Sequence, residues 1–379
     1  MRRRRAAVAG VLAAATCLAG CDGGASPTED VSDSAPSPAA SAAAAGDTFE
    51  DRVDAITEAA KANADAGIVP GLTVALADHD ETATLAFGVS DLGAGTPMRP
   101  DDRFRIASIT KSMTATIVLQ LVEEGKLGLD DTVETWLPGV LDAGDRITLR
   151  DLLGHVSGLP EADDSRYVRG HRVRHGVTDQ EYVRLVAQAP LEAEPGELFV
   201  YRNINFVLLG MVVEAVTGQD IGAVMRERLF EPLGLRDTRL ATEGHPGPRL
   251  VRVYDGLEDL TWLDVYWAGA AGGVTSTADD LATFYRALFS GELLDDERLA
   301  EMTDIRDDDV AGWNGYGLGL AAVETDCGTA LGHSGRLPGL ATEAWSMPER
   351  GRSVVVLVNG DGRLAGGTID VVREAALCG

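Results

Sequence analysis

The 379 residues exceed what one compact core ordinarily holds, so one large composite domain or two packed domains are expected. A hydrophobic share of 45% beside 25% charged residues describes a folded body and argues against a disordered chain. The formal net charge of -27 repels phosphate backbones and argues against a nucleic-acid partner.

The chain opens on four arginines, Arg2 to Arg5, followed by an apolar stretch over residues 6–20. That stretch is too short to span a bilayer as a mature helix, so residues 1–20 read as an export signal. It ends in Leu18-Ala19-Gly20-Cys21, which resembles the bacterial lipobox. The resemblance implies cleavage before Cys21, a lipid on its sulfur, and membrane attachment through that lipid only. A plain secretory signal is the alternative, and either reading places the folded part outside the cytoplasm. Loss of the leader removes four positive charges and no acids, taking the net charge from -27 to -31. Residues 21–46, rich in Ala, Ser, Pro and Asp, bury nothing and read as a flexible tether.

Residues 49–66 carry the spacing of an amphipathic helix, and 71–77 and 84–89 read as a strand pair around a polar turn. From Ser108 the apolar residues recur at helical spacing until Gly125-Lys126. Helical segments are expected at 179–188, 205–216 and 221–229, then short strands at 329–333, 341–347 and 353–359, and a closing helix at 367–377. Strands at both ends with helices between them predict an α/β fold. Residues 47–110 and 265–379 would build the sheet, and 111–264 a mostly helical insertion. Past the leader only Cys327 and Cys378 remain, and in an oxidising compartment they are expected to pair. Such a link would stabilise the fold by roughly 4 kcal/mol in the chain-entropy model. Two buried free thiols are the alternative.

Lysine is scarce, occurring only at Lys61, Lys111 and Lys126. Lys111 lies three residues after Ser108 in Ser108-Ile109-Thr110-Lys111, inside an apolar run. On a helix those positions share a face, and burial lowers an amine's pKa enough for it to take a hydroxyl proton. Alone this pattern is weak. Downstream, however, stand Tyr201-Arg202-Asn203 and then His333-Ser334-Gly335 at a strand end.

These three motifs in this order resemble the serine β-lactamase and penicillin-binding superfamily, in particular class C β-lactamases and soluble D-alanyl-D-alanine carboxypeptidases. The connecting runs at 149–160, 231–235, 272–281 and 316–320 are similar as well. The resemblance spans residues 49–379. It implies a central antiparallel sheet flanked by helices, with an inserted helical domain. It also implies a serine hydrolase working through an acyl-enzyme, without a cofactor or metal, on a peptide or small-molecule substrate. Ser108 is then the nucleophile and Lys111 the proton relay. Tyr201 is the general base, its phenol lowered by neighbouring cations, and Asn203 orients the substrate. His333 stands where many relatives have lysine. The N–H groups of Ser108 and Arg336 would form the oxyanion hole, with Ser334 and Gly335 beside it. Trp267 is either a pocket wall or a core residue, and His155 reads as stabilising a turn.

Two departures bear on the substrate. Arg202 occupies a position where relatives usually have serine or alanine. Ala321 follows Leu320 where the carboxypeptidases place an arginine that grips the peptide carboxylate. Cleavage of cell-wall D-peptides is the leading expectation. A β-lactamase or esterase of the same fold is the alternative, and a penicillin-binding sensor without turnover is a reading of another class. Gly332-His333-Ser334-Gly335-Arg336 lacks the last glycine of a nucleophile elbow. His171 and His175 have no carboxylate between them and argue for no metal. The glycines at 312, 315, 317 and 319 follow no phosphate-loop logic.

Overall fold

The segments Gly71–Asp78, Leu340–Met347 and Arg352–Val358 carry near-continuous apolar runs, so each needs cover on both faces. The computed structural model describes residues 48–161, 178–241, 248–263, 268–306, 312–360 and 362–379. Its main sheet has eight antiparallel strands: β1 (Gly71–Asp78), β2 (Glu81–Asp91), β3 (Thr96–Pro97), β4 (Gly315–Tyr316), β5 (Ala321–Thr325), β6 (Gly328–Leu337), β7 (Leu340–Met347) and β8 (Arg352–Val358). Their spatial order is β3-β2-β1-β8-β7-β6-β5-β4. Sheet residues before 98 and after 314 therefore meet at the β1–β8 pair, in the register Val74 opposite Val356. The intended α/β architecture with a helix-flanked antiparallel sheet is the one observed.

Alternation along the strands sorts side chains between two faces. Leu72, Val74, Leu76, Val354 and Val356 pack with Ile56 of α1 (Phe49–Asp65) and with Ile369 and Val372 of the last helix, Gly362–Leu377. Ala75, Ala344, Val355 and Leu357 face the other way, toward a larger core. That core includes Met113 of α2 (Thr110–Glu123), Phe206 of α3 (Asn203–Thr217) and Phe284 of the helix Ala278–Phe289. Helix α2 is buried almost all round, polar residues included, rather than on one stripe. Its hydroxyls are satisfied internally: Thr114 donates to the Ala270 carbonyl and Ser112 to that of Gly319.

Helix ends follow local chemistry. Thr48, Thr148 and Thr178 each form a capping box with an acid three residues on. Helix α3 ends on Gly218 in the left-handed conformation. Element bounds depart from the expected ones by a few residues. The largest difference is the closing helix, which starts at Gly362 rather than 367. Residues 45–379 form one compact unit. The leader, the tether, Cys21, His171, His175 and Trp267 lie outside the described residues.

Cys327, in the turn between β5 and β6, is joined to Cys378 at the end of the last helix, with the Cα atoms 5.4 Å apart. The bond fastens the chain's C-terminus to the sheet. Replacing both cysteines with serine should lower the free energy of unfolding by about 2–4 kcal/mol. Urea titration checks this, and an unchanged midpoint would contradict it.

Candidate active site

Ser108 sits in a 3₁₀ turn, Ala107–Ile109, that runs directly into α2. Ala107 holds φ at 49°, a left-handed conformation that side chains disfavour. The turn is fixed by β6 lying against it. A Cβ on Gly335 would overlap the Ile106 carbonyl and the Thr342 hydroxyl and crowd the Ala107 methyl. The main chain at Gly335-Arg336 therefore approaches the serine turn as closely as backbone allows.

One turn after Ser108, at the start of α2, the Lys111 amine is completely buried. Its Nζ lies 3.1 Å from Ser108 Oγ, 2.9 Å from Asn203 Oδ1 and 2.7 Å from the Ala271 carbonyl oxygen. The amine also stands 4.8 Å from the centre of the Tyr201 ring. Burial pushes its pKa down to about 7, against a smaller upward pull from the Glu161 carboxylate. The acceptors come from separate elements, α3 and the short helix Gly269–Gly272. Gly319 lets the chain after β4 pass close to α2, where a Cβ would overlap the Ala115 methyl.

Tyr201 precedes α3, and its hydroxyl is buried without a hydrogen-bond partner among the described residues. Burial raises its pKa, outweighing the nearness of Ser108, which favours the phenolate. This reverses the expectation of a phenol lowered by neighbouring cations. The reason is desolvation: apolar surroundings disfavour an anion more than one half-neutral amine supports it. A buried, unpaired hydroxyl beside a serine is a place where a substrate atom completes the set.

His333 is buried in β6 with both ring nitrogens engaged, Nδ1 at 2.6 Å from the Ser334 carbonyl and Nε2 at 3.0 Å from the Tyr316 hydroxyl. Burial and Lys111 lower its pKa to about 3, so it is a neutral ring where a cation stands in many relatives. Asn203 is the first residue of α3. Its N–H donates to Glu161 Oε2 at 2.6 Å. Arg202 directs its guanidinium to Glu192 at 2.6 Å, and Arg336 directs its own to Glu343 at 3.0 Å.

The structure thus brings together Ser108, Lys111, Tyr201 and Asn203, with Gly335 and Arg336 beside the serine turn and His333 behind Tyr201. Three contributors escape sequence inspection. Glu161 holds Asn203 and accepts the Tyr182 hydroxyl at 2.7 Å. The Ala271 carbonyl takes the shortest bond from Lys111. Trp313 stacks edge-on 5.4 Å from Tyr201 and 5.0 Å from His333, so an aromatic wall exists at a position other than 267. A backbone carbonyl carries no residue signature. The Leu159-Pro160-Glu161 run has only proline's turn tendency to mark it.

Residues 50–377 match the model of the family described as Beta-lactamase. An esterase of Burkholderia gladioli is 32% identical in a match covering 76% of this chain and 86% of the esterase. A solved D-stereospecific amidohydrolase from a Streptomyces species is 34% identical, with a TM-score of 0.73, covering 86% of this chain and 98% of that one. A D-amino acid amidase from Ochrobactrum anthropi, solved with D-phenylalanine, is 31% identical with a TM-score of 0.79 and the same coverages.

Because Gly335 has no room for a side chain, Gly335→Ala should push β6 off the serine turn. Turnover is then expected to fall about 100-fold, since sub-ångström misplacement of reacting groups is that costly. Steady-state kinetics beside circular dichroism check this. Full activity in the folded variant would contradict it.

Proposed function

The chain belongs to the Beta-lactamase family, a family of serine hydrolases, and from that premise we propose an acyl-transfer hydrolase of D-configured aminoacyl amides and short D-peptides. The observation that carries this reading is the hydrogen-bond set of Lys111. With its pKa near 7, about half of the amine is neutral at pH 7. A neutral amine has two N–H groups and one lone pair. Asn203 Oδ1 and the Ala271 carbonyl accept the two N–H groups, which leaves the lone pair for the Ser108 proton.

As Lys111 takes that proton, Ser108 Oγ adds to the substrate carbonyl carbon and the π pair moves onto oxygen. The N–H groups of Ser108 and Arg336 receive the oxyanion, each such donor being worth roughly 3–4 kcal/mol of barrier. Tyr201, protonated at neutral pH, gives its proton to the leaving nitrogen as the C–N bond breaks. The Lys111 ammonium then restores the phenol. Water repeats the path in reverse: its proton passes through Tyr201 to Lys111, and Ser108 Oγ leaves and recovers it.

Glu161 supports the substrate class. Its charge reaches both Lys111 and Tyr201, so a substrate on Ser108 lies within the field of a carboxylate, which favours a free ammonium. The D configuration is supported by the names of the two similar solved hydrolases. The carboxypeptidase reading stands second. Ala321 is buried and uncharged, so that reading needs Arg336 to exchange Glu343 for a peptide carboxylate. The half-exposure of the Arg336 side chain favours such an exchange. A β-lactamase or esterase of this fold would share the acyl-enzyme and differ in what removes it. We place the activity outside the cytoplasm, tethered through Cys21, on the strength of the leader and the Cys327–Cys378 bond.

Below its pKa Lys111 is charged and its lone pair is taken, so kcat/KM should climb about tenfold per pH unit up to about 7 and level above it. A flat profile between pH 5 and 8 would remove Lys111 as the base. For the substrate, Glu161→Gln should lower kcat/KM on D-phenylalanine amide by about 10- to 100-fold, the worth of one charged hydrogen bond. On N-acetyl-D-phenylalanine amide the loss should stay within about threefold. Equal losses on both would reject the ammonium reading.

A further inference from the structure

His155 lies behind the reacting atoms, buried, with its backbone held at φ 56°. It meets the chain on both flanks of Tyr201. Its carbonyl accepts the Val200 N–H at 2.9 Å, and its Nδ1 accepts the Arg202 N–H at 3.2 Å. Between these two bonds its ring lies 4.3 Å from the Tyr201 ring, tilted by 41°. The imidazole is itself fixed. Asn205 Nδ2 stands 3.0 Å from Nδ1, and the Asn205 carbonyl oxygen accepts the Ser157 hydroxyl at 2.7 Å. Phe206 and Tyr316 close around the ring, with centroids at 5.2 and 5.0 Å.

We infer that His155 is a positioning residue for acyl transfer, a clamp that holds residues 200 and 202 and so aims the Tyr201 hydroxyl at Ser108. A backbone N–H only donates, so Nδ1 is the bare nitrogen of a neutral ring. Protonation there would set two donors against each other and open the clamp. Burial, Lys111 and His333 all disfavour the charged ring. Ser157, Asn205 and His155 thus form one chain of contacts ending at the phenol. The turn at 154–158 belongs to the site rather than merely shaping a loop.

The inference rests on Tyr201 acting in acyl transfer, and a double-mutant cycle separates the two claims. His155→Phe keeps ring volume and removes the acceptor. It should lower kcat about 100-fold, with KM held within about threefold, on the p-nitroanilide of a D-amino acid, whose leaving atom is a nitrogen. In a Tyr201→Phe background the same change should lower kcat by no more than about twofold, because the group it aims is already gone. Losses that multiply, or a His155→Phe enzyme with unchanged kcat, would overturn the clamp. If Tyr201→Phe alone leaves kcat unchanged, the acyl-transfer role of Tyr201 fails and the clamp falls with it. Should His155→Phe not fold, Ser157→Ala carries the same cycle. Its expected loss is about fivefold in the parent and none with Tyr201→Phe, and equal losses in both would overturn the clamp.

Discussion

One amine, taken wholly out of water and met by three oxygens, governs how the rest of this molecule is built. Lys111 draws its partners from the serine turn, from the start of α3 and from the Gly269–Gly272 segment. An ammonium in that position would carry a desolvation penalty of several kcal/mol. Loss of the proton relieves the penalty and leaves a base next to a hydroxyl. The same burial that would be a defect in a structural core is here the source of reactivity. Small residues make the geometry possible. Gly210 lets Ala270 press onto α3, and Gly319 lets the chain graze Ala115, so the three segments converge on one side chain.

The sheet supplies rigidity. Strand β6 pairs with β5 over 328–332 and with β7 over 331–337, with Gly335 opposite Thr342 of β7, and it carries the main chain that lies against the serine turn. The left-handed Ala107 stores strain that a loose loop would relax. Here β6 on one side and the buried α2 on the other hold it. Glu343 extends the support outward, binding Arg336, the Trp345 indole and Arg373 of the final helix. That helix is in turn fastened by the disulfide to the β5–β6 turn.

Much of this was readable from residue spacing. Ser108 and Lys111 announce themselves because i and i+3 share a helix face, and short apolar runs at 329–333, 341–347 and 353–359 mark the core strands. What spacing does not carry is burial. Tyr201 among cations in a motif suggests a lowered phenol, yet its apolar cage raises it. Helix α2 looks amphipathic in pattern, while its polar Ser112, Thr114 and Thr116 are all buried through internal hydrogen bonds. Glu161 and His155 belong to the site through contacts with residues about forty positions or more away in the chain, at Asn203 and Arg202. No local period links them. Their membership follows from the fold, and so does that of Trp313 beside Tyr201.

The proton state of Lys111 is the most direct point of attack. Only three lysines are present, and Lys61 and Lys126 are exposed, so NMR titration of isotope-labelled lysine side chains resolves the buried amine without ambiguity. The midpoint for Lys111 should fall near 7. A Lys111 midpoint at the ordinary lysine value of about 10.4 would contradict the account, because Ser108 would then have no base beside it at neutral pH.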